Sequence, residues 1–91
     1  MRIDKYLKLT RLIKRRTVAK ELLDRGIFLI NNRVAKPSSE VNEGDILTLQ
    51  LGRHKLTVKV LKTANYAKKE DSSKLYEVLK DELIEESNET I

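Results

Sequence analysis

Apolar side chains recur at helical spacing between the charged residues at the start of the chain. Ile3, Tyr6 and Leu7 stand three and four positions apart, which places them on one face of a helix. We predict a short helix that Asp4 caps at its N-terminus and that ends near Leu9.

The basic stretch 10–16 predicts a turn, because so many charged side chains cannot all be buried. Leu12 and Ile13 are the residues of this stretch that we expect to reach the core. Thr17 then predicts the N-cap of a second helix, and Gly26 predicts its end, since glycine suits the left-handed conformation of a helix terminus. The apolar face predicted for this helix comprises Val18, Leu22 and Leu23.

Short apolar runs after the second helix predict a β-sheet. Residues 27–30 favour a strand, residues 31–32 are two asparagines suited to a tight turn, and residues 33–36 form the returning strand. Further along, apolar and polar residues alternate in 46–51 and again in 56–60. This period of two in adjacent runs predicts an antiparallel pair with one buried face.

The C-terminal part of the chain has a weaker apolar pattern. We predict one charged helix over Ser73–Glu86 and disorder in the last five residues. The chain then divides into a domain of residues 1–62, with the order α-α-β-β-β-β, and an acidic extension of residues 63–91 that is partly helical or disordered.

The formal net charge of +5 conceals a strong segregation of charge along the chain. Residues 2–25 contain nine basic residues against three acidic ones, whereas residues 70–91 contain eight acidic residues against two basic ones. Such a basic surface attracts a phosphate backbone through counterion release. The four aromatic residues are too few and too scattered for a platform that stacks several bases. Recognition of RNA shape and phosphates therefore fits better.

Composition argues against an enzyme, a metal site or a membrane segment. No cysteine is present, and the single histidine, His54, lies between two cationic residues that disfavour a metal ligand or a catalytic base. No apolar run approaches the roughly 20 residues needed to cross a bilayer. We expect a cytoplasmic protein with no catalytic residue, no cofactor, no metal ion and no membrane contact.

Four segments together resemble the S4 RNA-binding domain, which is named for a ribosomal protein of the small subunit. They are RIDKYL (2–7), TRLIKRRT (10–17), INNRVAK (30–36) and VNEGD (41–45). The resemblance covers about residues 1–61. It implies an α+β fold in which two N-terminal helices pack on a small bent antiparallel sheet.

The small size of the chain, with a short acidic tail, is similar to that of the RqcP family of ribosome-associated quality control and to the related heat-shock ribosome-binding protein. That resemblance implies binding to an obstructed large ribosomal subunit through ribosomal RNA and peptidyl-tRNA. It further implies that the protein holds the tRNA while a partner of the RqcH/NEMF type directs C-terminal tailing of the stalled chain. We expect the protein to be a monomer.

The family pattern implies that RNA contacts lie on the first helix and on the turn into the second. Arginine suits this role because its planar guanidinium holds a phosphate in bidentate fashion. Asp4 is an acid within the basic stripe, and we expect it to cap the helix or to orient a nearby arginine. For Lys8 and Arg25 we expect a solvating role only. The RNA-binding residues predicted are Arg2, Lys5, Thr10, Arg11, Arg15 and Arg16, with Lys20 and Lys36 flanking them.

Two alternatives to this function stay open from the sequence. One is a generic module of the same fold that binds ribosomal RNA or assists ribosome assembly. The other is a helix-turn-helix DNA-binding protein, since two short helices joined by a turn imitate that motif. Against the second, a strand follows Gly26 at once, and the basic residues concentrate before the second helix rather than along it.

Overall fold

The computed structural model describes residues 1–83, which form two α-helices, a 3₁₀-helix and five β-strands. The predicted helices and strands of the first sixty residues are present. The first helix ends at Leu9 and one strand spans residues 46–51, as predicted, whereas the strands predicted over 27–30 and 33–36 are shorter. In chain order the elements are α1 (Ile3–Leu9), α2 (Arg16–Asp24), β1 (Leu29–Ile30), β2 (Arg33–Val34), β3 (Ile46–Leu51), β4 (His54–Val60), the 3₁₀-helix (Lys69–Leu75) and β5 (Tyr76–Leu83).

The five strands form one antiparallel sheet in the order β2-β1-β3-β4-β5. The alternation predicted for β3 and β4 is confirmed, since Leu47 and Leu49 of β3 and Val58 and Val60 of β4 are all buried. A shift in register between β4 and β5 follows Thr57. Such an irregularity increases the local twist of a strand pair.

The predicted turn at Asn31 and Asn32 joins β1 to β2, and both residues adopt positive φ, at 50° and 68°. This conformation matches the twist of a tight hairpin. The Asn31 side chain also ties the hairpin to β3. Its amide donates to the Asp45 carboxylate at 3.1 Å, and its oxygen accepts from the Ile46 backbone N–H at 2.9 Å.

The hydrophobic core lies between the helices and the sheet. The apolar face predicted for α1 is confirmed, because Ile3, Tyr6 and Leu7 are fully buried. On α2 the buried residues are Ala19 and Leu23, whereas Val18 is 38% exposed, so its predicted place on the buried face is wrong. The core consists of Ile3, Tyr6, Leu7, Ile13, Ala19, Leu23, Phe28, Ala35, Val41, Leu47, Leu49, Val58, Val60 and Leu75.

The predicted helix over Ser73–Glu86 is wrong in the part that the structure describes. Residues 69–75 form the 3₁₀-helix, and Tyr76–Leu83 form β5, which pairs with β4 along its whole length. The end of the predicted helix and the last five residues lie outside the described part of the chain. Division of the chain at residue 62 stays a prediction about which part folds independently.

The two predicted N-caps are also wrong. Arg2 precedes α1 as its N-cap, and Asp4 lies inside the first turn. Arg15 occupies the N-cap position of α2, and Thr17 is an exposed residue of its first turn. Neither cap makes a side-chain hydrogen bond to the helix. The side chain of Asp4 is free for a different role.

Candidate RNA-binding surface

Asp4 is completely buried and joins two arginines that are distant in sequence. Arg2 donates from Nη2 to Asp4 Oδ2 at 3.1 Å, and Arg16 donates from Nη2 to Asp4 Oδ1 at 3.2 Å. The arginine side chains keep 48% and 41% of their surface exposed. The carboxylate thus holds two guanidinium groups side by side at the surface. This arrangement is the one that the predicted orienting role requires, and that role stays a prediction.

Opposing effects act on the pKa of Asp4. Burial alone would raise it, because a charged carboxylate loses its hydration. The hydrogen bond and positive charge of Arg16, the hydrogen bond from Arg2 and the backbone N–H of Lys5 outweigh burial, and they hold the pKa of Asp4 below its usual 3.8. The carboxylate is therefore ionised at neutral pH, and the pairing with both arginines is maintained.

Arg11 lies in the turn between the helices and has an unusual backbone. Its φ is 60°, in the left-handed region that a non-glycine residue adopts only when its surroundings hold it there. Arg11 Nε donates to Ser72 Oγ at 3.1 Å, and Ser72 Oγ in turn donates to the Lys69 carbonyl at 2.7 Å. The 3₁₀-helix therefore positions this arginine.

An open cleft of about 370 Å³ lies where α1, the inter-helix turn, α2 and the loop before the 3₁₀-helix meet. No acidic residue lines it, and its four cationic residues come from three of these elements. We call it the basic cleft, and it is lined by Lys5, Lys8, Leu9, Arg11, Arg16, Asn65, Tyr66 and Ala67.

A second hollow of about 410 Å³ adjoins the basic cleft and shares two of its residues. Lys8, Arg11, Lys14 and Lys69 line it, so that all four lining residues are cationic. The basic cleft and this hollow together form a continuous positive surface. Such a concentration of one sign of charge attracts an anionic polymer.

The predicted site residues occupy different parts of the molecule. Lys5, Arg11 and Arg16 line the basic cleft, and Arg2 is joined to Arg16 through Asp4. Arg15 and Lys20 are exposed on or beside α2, away from the lining of either hollow. Lys36 is exposed at the start of the loop that hydrogen-bonds to the first residues of the chain, with Ile3 N donating to Ser39 O at 2.8 Å.

The structure does not place Thr10 on this surface. Its side chain is buried, with 3% of the residue exposed, and Oγ1 donates to the Leu7 carbonyl at 3.1 Å. The hydroxyl closes the C-terminal turn of α1, where a short polar side chain replaces a lost helical partner. Thr10 therefore has a structural role. The prediction that it contacts RNA is corrected accordingly, because its hydroxyl is buried and already hydrogen-bonded.

The sequence does not predict four residues that line the basic cleft or the adjoining hollow. The sequence predicts only a solvating role for Lys8, although its side chain lines both hollows. Lys14 belongs to the basic stretch and carries the same signal as its neighbours. Lys69 and Tyr66 come from the predicted acidic extension, and no local pattern links them to the helices.

The described residues offer little to other kinds of chemistry. Within residues 1–83 no three side chains among histidine, cysteine, aspartate and glutamate are grouped as a metal ion requires. His54 is exposed, with Nδ1 at 3.1 Å from an Asp81 carboxylate oxygen on β5. In the same part of the chain no helix has the length and apolar character to cross a bilayer.

Comparison with known proteins agrees with the fold. Residues 1–47 match the family of the S4 domain. The solved trimeric structure of heat shock protein 15 from Vibrio cholerae superposes with a TM-score of 0.80 at 29% identity, covering 86% of this chain and 80% of that chain. The fold and the positive surface thus define the class of small S4-type RNA-binding proteins, and the helix-turn-helix alternative is wrong.

Relatives of nearly the same length narrow the class further. The RQC P-site tRNA stabilizing factor of Bacillus subtilis is 48% identical over 86 residues, which are 94% of this chain and 100% of the relative. That of Listeria innocua is 46% identical over 87 residues, covering 96% and 95% of the two chains. The chain belongs to this family of RQC P-site tRNA stabilizing factors, as the resemblance to RqcP implied.

Proposed function

We propose that the protein binds an obstructed large ribosomal subunit through ribosomal RNA and peptidyl-tRNA, and stabilises the tRNA during quality control. The observation that carries the proposal is the pairing of Arg2 and Arg16 on the buried Asp4 at the edge of the basic cleft. Two guanidinium groups held in fixed positions suit two phosphates of a folded RNA, because less conformational entropy is lost on binding.

The Arg16 guanidinium also retains hydrogen-bonding capacity. Its Nε is buried and has no acceptor among residues 1–83. A buried donor without a partner costs about 1–3 kcal/mol. The Arg16 side chain keeps 41% of its surface exposed, so a phosphate oxygen can accept from its remaining N–H groups, which favours an anionic ligand at this position.

The kind of RNA follows from the family. Relatives at 44–48% identity carry the name RQC P-site tRNA stabilizing factor, and a tRNA in the P site of a large subunit presents phosphates of two RNA molecules at one place. A partner of the RqcH/NEMF type then adds the C-terminal tail. We propose that this protein acts by binding and not by catalysis, as a single copy and in the cytoplasm, where ribosomes work.

RNA contact through Arg2, Lys5, Arg11 and Arg16, with Arg15, Lys20 and Lys36 at the margins, belongs to the same proposal. The experiment is co-sedimentation with large subunits that carry peptidyl-tRNA, at fixed salt. Arg16→Ala is expected to weaken binding about tenfold, on the scale of one charge-assisted contact. Arg53→Ala removes the same charge from the exposed turn between β3 and β4 and is expected to have a much smaller effect.

Arg16 also pairs with Asp4, so that a fold defect must be separated from a lost contact. Thermal unfolding of each variant serves for this, and Arg16→Lys keeps the charge while removing the planar fork. Equal weakening by Arg16→Ala and Arg53→Ala would show that total charge, rather than this site, governs binding. Subunits without peptidyl-tRNA provide the test for the generic alternative, a module that binds ribosomal RNA alone.

A further inference from the structure

Tyr66 differs from the other aromatic residues of the chain in being left at the surface. It is 76% exposed, whereas Tyr6 and Phe28 are completely buried and Tyr76 is half-buried against the core. Single exposed apolar residues are common and need no explanation by themselves. The surroundings of Tyr66 set it apart.

Among the exposed large apolar residues within 1–83, Tyr66 is the one that lines the basic cleft. Lys5, Lys8, Arg11 and Arg16 line the same cleft, and the half-buried Leu9 and Ala67 complete its apolar part. An aromatic ring beside several phosphate-binding cations is the arrangement by which proteins hold unpaired nucleotides. The ring stacks on a base, while the cations bind the neighbouring phosphates.

The loop that carries Tyr66 is anchored at both sides. Before it, the backbone N–H groups of Leu61 and Lys62 both donate to the Leu75 carbonyl, at 2.9 and 3.1 Å. Within it, Ala64 and Ala67 pack against the core on either side of the exposed ring. The ring is therefore presented from a fixed base, and stacking does not require the loop to be ordered anew.

We propose that Tyr66 stacks on the base of one unpaired RNA nucleotide whose flanking phosphates lie in the basic cleft. This inference rests on the proposed function and deepens it, since it specifies a single-stranded element of the bound RNA. It requires one base only. The scarcity of aromatic residues, which excludes a platform for several bases, does not conflict with it.

The test uses an RNA hairpin with a short unpaired 3′ extension and a second hairpin whose extension carries the same phosphates without bases. Binding of each to the full-length protein is measured by fluorescence anisotropy. Removing the bases is expected to weaken binding to the unchanged protein by about 5- to 150-fold, the range of a base-aromatic stack. With Tyr66→Leu the two hairpins are expected to bind equally, and Tyr66→Phe is expected to keep the difference.

Leu79→Ala serves as the matched control, because Leu79 is 49% exposed on β5 and does not line the basic cleft. It is expected to leave the base dependence unchanged. Thermal unfolding confirms that the Tyr66 variants are folded. Equal binding of both hairpins by the unchanged protein, or an undiminished difference with Tyr66→Leu, would overturn the inference.

These outcomes are separate from failure of the proposed function. If the unchanged protein co-sediments with obstructed subunits in an Arg16-dependent manner but ignores the bases of the extension, the stacking role fails and the proposed function stands. If the base dependence through Tyr66 is found without co-sedimentation, the stacking role stands and the proposed function fails.

Discussion

At the scale of single residues, Asp4 connects the stability of the fold with the surface that we propose for RNA. A carboxylate with no exposed surface is costly unless charged donors compensate it, and Arg2 and Arg16 supply two charged hydrogen bonds. The same contacts keep both guanidinium groups together at the surface. A change at Asp4 is therefore expected to affect folding and RNA binding at once.

Asp4→Asn is expected to lower the free energy of unfolding by about 1.5–3 kcal/mol, because it weakens two hydrogen bonds to charged groups. Chemical denaturation measures the change. Asp24→Asn alters an exposed carboxylate of α2 in the same way and is expected to stay within about 0.5 kcal/mol of the unchanged protein. If the two variants are equally stable, the buried pairing does not stabilise the fold.

The lowered pKa of Asp4 determines how its contribution depends on pH. A carboxyl whose pKa is lower in the folded state contributes stability that is fully present above its unfolded pKa, near 3.8, and is lost as the pH falls through the lower folded value. The stability difference between the unchanged protein and Asp4→Asn should thus be constant from about pH 5 to pH 8 and shrink below about pH 4. Denaturation curves recorded across this range test the prediction, and a difference that grows towards acid would contradict it.

At the scale of elements, the 3₁₀-helix and β5 contribute more to the folded structure than the sequence pattern indicates. Leu75 is 6% exposed, its carbonyl accepts from the Tyr6 hydroxyl at 2.7 Å, and Ser72 of the same helix holds Arg11. Burial, with a smaller effect of Tyr76, raises the pKa of Tyr6, which keeps its hydroxyl protonated for this bond. The segment joins the core to the surface that we propose for RNA.

Leu75→Ala is expected to cost about 2–5 kcal/mol, the range for truncating a buried leucine. Leu79→Ala makes the same truncation at a residue that is 49% exposed, and it is expected to cost much less. Urea denaturation of both variants measures the difference. A small effect of Leu75→Ala would favour the division at residue 62, with the C-terminal part dispensable for folding.

At the scale of the whole molecule, charge placement decides how binding responds to salt. The positive surface comprises the basic cleft, the adjoining hollow and the paired Arg2. Acidic residues lie instead on β5, which is an edge strand of the sheet. If six or more phosphates are contacted, affinity for obstructed subunits should fall about a thousandfold between about 50 and 200 mM salt.

Lys8 provides the sharpest variant for this prediction, because it lines both hollows and the sequence alone favoured a solvating role for it. Lys8→Ala is expected to reduce the slope of log affinity against log salt by about one, as the loss of one phosphate contact does. Lys59→Ala, at an exposed position of β4, is expected to leave the slope unchanged. A flat salt response of the unchanged protein would favour base or protein contacts instead.

The sequence by itself determined the elements whose signals are local. The buried face of α1, the alternation in β3 and β4, and the two asparagines at the β1–β2 turn each depend on spacing of a few residues, and each is confirmed. The family and the basic N-terminal region were equally evident, since a cluster of charges and four short motifs need no folding to be recognised.

Only the tertiary structure decided the features that depend on residues far apart in the chain. The stretch 76–83 has no alternation and contains good helix formers, yet pairing with β4 makes it a strand, because contacts in a sheet outweigh intrinsic propensity. Folding also buried Thr10, joined Arg2 to Arg16 through Asp4, and brought Tyr66 to the basic cleft. Hydrogen bonds and packing contacts between distant segments leave no local pattern in the sequence. The set of residues that form the positive surface therefore follows from the fold.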